Sequence, residues 1–251
     1  MFRPRVIPVL LLKNSALVKS VGFKNHRYIG DPMNAATIFN DLKADELVLL
    51  DTEASKAGRL ISPELVRGVG EEVYMPFAVG GGIRSVGDIK AILSAGAEKV
   101  VINTHAHRDP DLVREAAETF GSSAVVVCID VKRRVLRGRR TWVLGGSRPT
   151  AFTPVEFARL MEEKGAGELI VQSIDRDGTM AGYDLELVKS VSASVGVPVV
   201  ALGGAGSEED LVAAYRDGGA NAVAAGSLFV YQGKKRGVLI NYPDKNRLTF
   251  E

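Results

Sequence analysis

One long glycine-punctuated segment occurs twice in this chain. FAVGGGIRSVGDIKAILSAGAEKVVINT, from Phe77 to Thr104, aligns without a gap on VALGGAGSEEDLVAAYRDGGANAVAAGS, from Val200 to Ser227. Gly80 then pairs with Gly203, Gly81 with Gly204, Gly96 with Gly219 and Thr104 with Ser227. Upstream, ELVLLDTEAS from Glu46 matches ELIVQSIDRD from Glu168, and VIPVLLLK (Val6 to Lys13) falls opposite VVVCIDVK (Val125 to Lys132). Each copy reads as β-branched runs alternating with amphipathic stretches, the pattern of βα units on a parallel sheet.

Eight such runs are present: Arg5 to Leu12, Glu46 to Asp51, Met75 to Gly80, Lys99 to Asn103, Ala124 to Asp130, Glu168 to Ser173, Pro198 to Gly203 and Asn221 to Ala225. Helix starts are marked by Asp31-Pro32, Ser62-Pro63, Asp109-Pro110 and Thr153-Pro154, each a capping oxygen before a proline at the first helical position. Ser207 precedes the acids Glu208, Glu209 and Asp210, which suit the positive end of a helix dipole. Four βα units twice over predict an α/β fold, a (β/α)8 TIM barrel built from two half-barrels, about 1–121 and 122–251. The length of 251 residues suits one such barrel, and no linker-like stretch divides it, so 1–251 reads as a single domain.

Composition excludes several classes. Against 30 acidic residues stand 32 basic ones, a net charge of +2, which gives no ground for nucleic-acid binding. No apolar run is long enough to span a bilayer, and the short one after MFRPR ends at Lys13, so it reads as a first barrel strand rather than a signal peptide. The single cysteine, Cys128, has no partner for an internal disulfide and alternates into an apolar strand as a core residue. A reducing cytoplasm is the expected location. His26, His105 and His107 are too few for a zinc site, and neither metal nor cofactor is expected.

Glycine in a turn costs stability unless the backbone needs positive φ or close approach to another group. Gly81 and Gly82 before one helix, and Gly203 and Gly204 before another, make either tight βα turns or amide-rich phosphate cradles. Asn103-Thr104 and Gly226-Ser227, after the fourth and eighth strands, would complete the same two cradles. The doubling favours phosphate, at the mouth where barrels of this kind bind it. Two cradles imply a phosphorylated small molecule with an anionic group at each end.

The chain resembles, over nearly its whole length, the cyclase subunit of imidazole glycerol phosphate synthase. The motifs that carry the resemblance are VGGGI at Val79, INT at Ile102, AVVVCIDVK at Ala124, SIDRDGTMAGYD at Ser173 and GGAG at Gly203. It implies a phosphate-binding set that also takes in Asp177 and Gly178, and a catalytic role for Asp130 with help from Lys19 in the loop after strand one. In that family two aspartates, ending strands one and five, serve as general acid and base. Asp130 fills the second position, but the first is Leu11, which cannot transfer a proton. Either Asp51, Asp175 or Asp177 compensates, or Asp130 suffices, or the cyclase chemistry is lost, which is the reading preferred here.

The resemblance also implies that Arg5, Glu46, Lys99 and Glu168, each at the start of a strand, form a charged ring that gates ammonia entry. A glutaminase subunit would then dock at the N-terminal face. The segment RVIPVLLLKN and the ending GVLINYPDK are similar to WbuZ-type relatives associated with glycosyl amidation. That likeness implies ammonia transfer for sugar amidination in surface-polysaccharide synthesis, with a sugar amidotransferase as a further partner. The cyclase of histidine biosynthesis, a lyase, is the alternative. The tail GKKRGVLINYPDKNRLTFE is poor in helix formers and predicts an extended segment that packs on the barrel or docks a partner. The basic run from Lys132 to Arg140 predicts a hairpin with Gly138 at its turn and Trp142 as its packing anchor.

Overall fold

A computed structural model of the chain describes residues 3–134, 138–233, 235–244 and 248–250. The strands that form the barrel are β1 (Arg5–Lys13), β2 (Leu47–Asp51), β3 (Phe77–Gly80), β4 (Lys99–Ile102), β5 (Val125–Arg134), β6 (Glu168–Ser173), β7 (Val199–Leu202) and β8 (Ala222–Ala225). All neighbours are parallel. β1 pairs with both β2 and β8, and the sheet closes where β5 pairs with β6, Gln172 opposite Asp130. Helices follow the strands on the outside, so this is a (β/α)8 barrel.

Side chains alternate between two apolar regions, as a strand's period of two requires. Ile7, Val9 and Leu11 of β1 face the barrel interior with Val48, Ala78, Val126, Ile170 and Leu202. Val6, Leu10 and Leu12 face outward into the larger core beneath the helices, with Phe39, Phe77, Phe157 and Phe229. The caps form at three of the four Pro-marked helices: Asp31, Ser62 and Thr153 each accept the N3 amide, and Thr153 completes a reciprocal capping box with Glu156. Asp109-Pro110 differs. The short helix Thr104–Arg108 runs up to Asp109, so Pro110 is itself the N-cap of Asp111–Phe120, and the Asp109 carboxylate accepts from the Asp111 amide at 3.2 Å.

Two departures from the plain barrel bear on the site. The stretch after β1 is an antiparallel hairpin, Ala16–Val21 against Lys24–Gly30, with its first strand paired to β1. Lys19 therefore lies on a strand and is buried, not on a loop, because Ala16–Val21 pairs with the end of β1, Leu11 opposite Val18. A second hairpin continues β5 into Gly138–Val143; its connecting residues 135–137 lie outside those described, and Gly138 has φ 67. Lys132 sits over the half-buried Trp142 ring, 5.4 Å from its centroid, and Arg139 is paired with Asp184 and Glu186, so part of the basic run is neutralised.

In place of an eighth long helix the chain makes one turn, Ser227–Val230, and a short pairing of Tyr231–Gln232 with Gly237–Val238. Residues 239–244 then run along the barrel wall. The Leu239 amide donates to Val230 and the Asn241 amide to Phe229, while Tyr242 packs on Phe229 and its hydroxyl donates to the Val6 carbonyl at 2.8 Å. Phe250 meets Tyr215 edge-on and Leu248 is buried. Tail packing on the barrel is thus what the structure displays.

Candidate functional site

Two clefts open at the carboxyl ends of the strands. The larger, about 1070 Å³ counting the solvent open at its mouth, is bounded by Gly80 at the end of β3, by Gly81 and Gly82 beyond it and by Asn103 and Thr104 after β4, with Asp130 on its floor. The smaller, about 400 Å³, is bounded by Gly203 and Gly204 after β7, Gly226 and Ser227 after β8, and Asp177 and Gly178 after β6. Every residue predicted for phosphate binding therefore lines one cleft or the other, and the two glycine sets fall into different clefts. Leu11, Ser20 and Gln172 line both, so the two spaces meet there.

The glycines are sterically required at two of these positions. A Cβ on Gly82, whose φ is +72, would lie 1.8 Å from the Arg59 carbonyl oxygen, and one on Gly204, at φ +116, would lie 2.2 Å from that of Gly182. Neither backbone nor neighbour has room to yield, so both turns are fixed with their amides at the cleft rim. Some polar side chains are already engaged. The Thr104 hydroxyl donates to the Asn103 side chain at 3.2 Å and accepts from the Leu144 amide at 3.0 Å, which pins the second hairpin over the larger cleft. The Asp177 carboxylate accepts from Ser20 at 3.0 Å and turns toward Gln172, so its side chain is directed into the barrel.

Asp130 is buried beside Cys128, whose thiol donates to its Oδ1 at 3.5 Å. Burial pushes the Asp130 carboxyl up to about 7, partly opposed by the thiol and reinforced by Asp177. Such a group changes protonation near neutral pH and so can take or give a proton there. Burial drives the Cys128 thiol well above its usual range, leaving it an inert core residue. Asp177 is likewise raised by burial.

Leu11, at 8 % exposure, ends the interior layer of β1 beside these groups and presents only hydrocarbon. The other acids near it are committed elsewhere. Asp51 is bound to Arg59 at 2.6 Å and accepts two backbone amides, and Asp175 accepts from the Arg133 amide at the surface. Lys19 inserts into the smaller cleft, where its ammonium donates to the Val9 carbonyl at 2.6 Å. Burial lowers it to about 8, partly offset by Asp177. Lys13, at the end of β1, is paired with Glu53 at 2.9 Å.

Three residues with no role in the sequence reading belong to this region. Gln172 and Ser20 join the clefts; Gln172 was detectable as a polar side chain in step with the inward-facing Ile170. His107 stacks on Phe157 with ring centres 3.6 Å apart and bridges the Asn103 carbonyl and the Thr141 hydroxyl. Burial holds its imidazole near 4, so it is neutral at physiological pH and braces Asn103. Among the described residues no cluster of His, Cys, Asp or Glu could hold a metal ion.

At the opposite end of the barrel, Arg5 contacts both Glu46 and Glu168, and Lys99 contacts Glu46 at 3.0 Å and Glu168 at 3.2 Å. Two cations and two carboxylates alternate in a closed circuit across the barrel floor. The glutamates are almost fully buried, at 3 % and 6 % exposure, and would be costly there without these partners.

Fold and site together define a class: a closed (β/α)8 barrel with paired glycine-rimmed clefts at one end and a four-charge ring at the other. Residues 5–236 match the family model described as histidine biosynthesis protein. A Pseudomonas aeruginosa chain provisionally named imidazole glycerol phosphate synthase subunit hisF2 is 47% identical over 248 residues, covering 99% of each chain. A Leptospira interrogans chain, provisionally named as the HisF subunit of that synthase, is 43% identical over 98% of this chain and 97% of its own. The imidazole glycerol phosphate synthase subunit HisF of Alkaliphilus metalliredigens is 43% identical over 92% of each chain. The chain belongs to the histidine biosynthesis protein family and is HisF-like.

Proposed function

We propose that this barrel is the ammonia-accepting subunit of a glutamine-dependent amidotransferase system serving sugar amidination in surface-polysaccharide synthesis, as in WbuZ-type relatives, and not a histidine-pathway cyclase. The observation that carries the reading is Leu11: a buried leucine at the junction of the two clefts, where the cyclase mechanism calls for a second acid opposite Asp130. Ring closure needs one proton removed while another is delivered, and hydrocarbon does neither.

The rest of the equipment fits ammonia delivery. A glutaminase docks on the N-terminal face, and ammonia passes the ring of Arg5, Glu46, Lys99 and Glu168 into a barrel whose interior includes the small side chains Ala78, Ala222 and Ala224. The two glycine clefts hold phosphate groups of an acceptor or effector, with Lys19 as counter-charge in the smaller one. Asp130 is left as a single proton-transfer group, and a sugar amidotransferase carries out the final step. The chain acts in the cytoplasm as one domain, 1–251, whose halves meet near 121.

The test is Leu11→Asp. With ammonium salts and the aminoimidazole ribonucleotide precursor of the cyclase reaction, the variant should gain turnover of about 10²-fold or more over the native chain, the usual worth of a positioned acid. An equal rate in both would remove Leu11 from the argument.

One observation favours the cyclase alternative. Asp177 is buried, raised by burial, and close enough to Asp130 for the two carboxyls to influence each other. In that reading Asp177 is the substitute acid, and Asp177→Asn would abolish precursor turnover that the native chain already possesses.

A further inference from the structure

Beside the larger cleft lies a third pocket of about 330 Å³, and the two share Ser55, Gly82, Ile83 and Thr104 as a common wall. The outer wall of the third pocket is formed by Arg84, His105 and Arg108, and no carboxylate lines it. Nearby acids are otherwise occupied: Asp51 by Arg59, Glu53 by Lys13, and Asp88 by the Arg84 amide. Among the described residues neither Arg84 nor Arg108 forms an ion pair, and the Arg108 side chain makes no hydrogen bond, while one Arg84 guanidinium nitrogen donates to the Gly58 carbonyl at 3.0 Å. Two uncompensated guanidinium groups and an imidazole thus converge on one concavity that adjoins the first glycine cradle.

We propose that this pocket is a subsite for a second phosphoryl group, so that the end of the ligand held by Gly81, Gly82, Asn103 and Thr104 is a diphosphate rather than a phosphate monoester. The proposal rests on the reading of those glycines as a phosphate cradle and extends it. Backbone amides of the cradle partner the first phosphoryl group. The second carries further negative charge over the rim at Gly82 and Thr104, and that charge needs cations. Guanidinium forks match phosphate oxygens in pairs, and Arg84 and Arg108 supply two such forks from the connections after β3 and β4, with His105 on the same wall as a ring N–H donor. Both a nucleoside diphosphate and a diphosphate on a lipid carrier present this group. The chemistry recognised is the same, and the nucleoside or isoprenyl group attached to the diphosphate distinguishes them.

Calorimetric titration of the full chain with inorganic pyrophosphate and with inorganic phosphate is the test, repeated with uridine diphosphate and with an isoprenyl diphosphate. Pyrophosphate should bind about tenfold or more tightly than phosphate. In Arg108→Gln, and in the double variant with Arg84→Gln, that advantage should shrink toward unity while phosphate affinity stays within about twofold. Arg108→Gln is the cleaner variant because the exposed Arg108 side chain forms neither a hydrogen bond nor an ion pair among the described residues. Tighter binding of either organic diphosphate supports the subsite and identifies the source. Pyrophosphate binding no tighter than phosphate, or unaltered by Arg108→Gln, overturns the subsite and leaves the cradle standing. Failure of both inorganic anions to bind overturns the cradle as well.

Discussion

At the scale of single residues the site is defined by what burial does to proton affinity. Asp130 holds its proton to about 7 in the folded chain, against an ordinary aspartate near 3.8. Between those values the folded state binds more protons than the unfolded one, so this group's contribution to stability falls as pH rises from about 4 to about 7. Asp130→Asn should remove that loss. Urea denaturation at pH 8 is expected to find the variant more stable than the native chain by on the order of 1–4 kcal/mol, with the difference vanishing below pH 4. A variant less stable at pH 8 would mean that Asp130 is held ionised by a partner. Leu11→Asp should act oppositely, costing about 2–4 kcal/mol at neutral pH by burying a second carboxylate beside the first. Leu11 was legible as an anomaly in the sequence because the repeat sets it opposite Asp130. The burial of Lys19 was not, since its strand depends on pairing with β1, a contact no local pattern announces.

At the scale of elements, strand boundaries followed the β-branched runs to within a few residues because each strand is buried on both faces. The hairpin after β1 and the course of the tail were less legible. A polar, glycine-interrupted stretch such as KSVGFKNHRYIG has no helical period, and its strands form by docking on an edge that tertiary structure supplies. The tail's anchor is Tyr242, whose hydroxyl reaches Val6 and Asp45, the neighbours of Arg5 and Glu46 in the ring. Tyr242→Phe keeps the ring packing on Phe229 and loses the hydrogen bonds, so thermal or chemical unfolding should register a loss of about 1–2 kcal/mol. No loss would mean that the tail's apolar contacts and backbone hydrogen bonds hold it without the hydroxyl.

At the scale of the whole molecule, the two ends of the barrel carry different functions in this account. The four charges of the floor neutralise one another, so altering one leaves its partners uncompensated. Glu46→Lys with Lys99→Glu keeps the charge total but breaks the alternation, because the new cation then faces Arg5 and the new carboxylate faces Glu168. A cognate glutaminase should then bind less tightly or deliver ammonia less efficiently, by about tenfold, with a stability cost of about 3–5 kcal/mol for the broken buried pairs. Unchanged coupling would detach the ring from ammonia entry. The clefts at the other end were legible as glycine pairs, but their meeting at Leu11, Ser20 and Gln172 comes only from closure of the barrel.

The central claim is that the equipment for receiving ammonia persists while the paired-acid chemistry does not. Its most direct test is the rate at which the purified native barrel, supplied with ammonium ions at pH 8, converts the aminoimidazole ribonucleotide precursor into imidazole glycerol phosphate. That rate should lie at least about 10²-fold below the rate of a two-aspartate cyclase measured alongside. A rate within about tenfold of that enzyme would contradict the claim and return the chain to histidine synthesis.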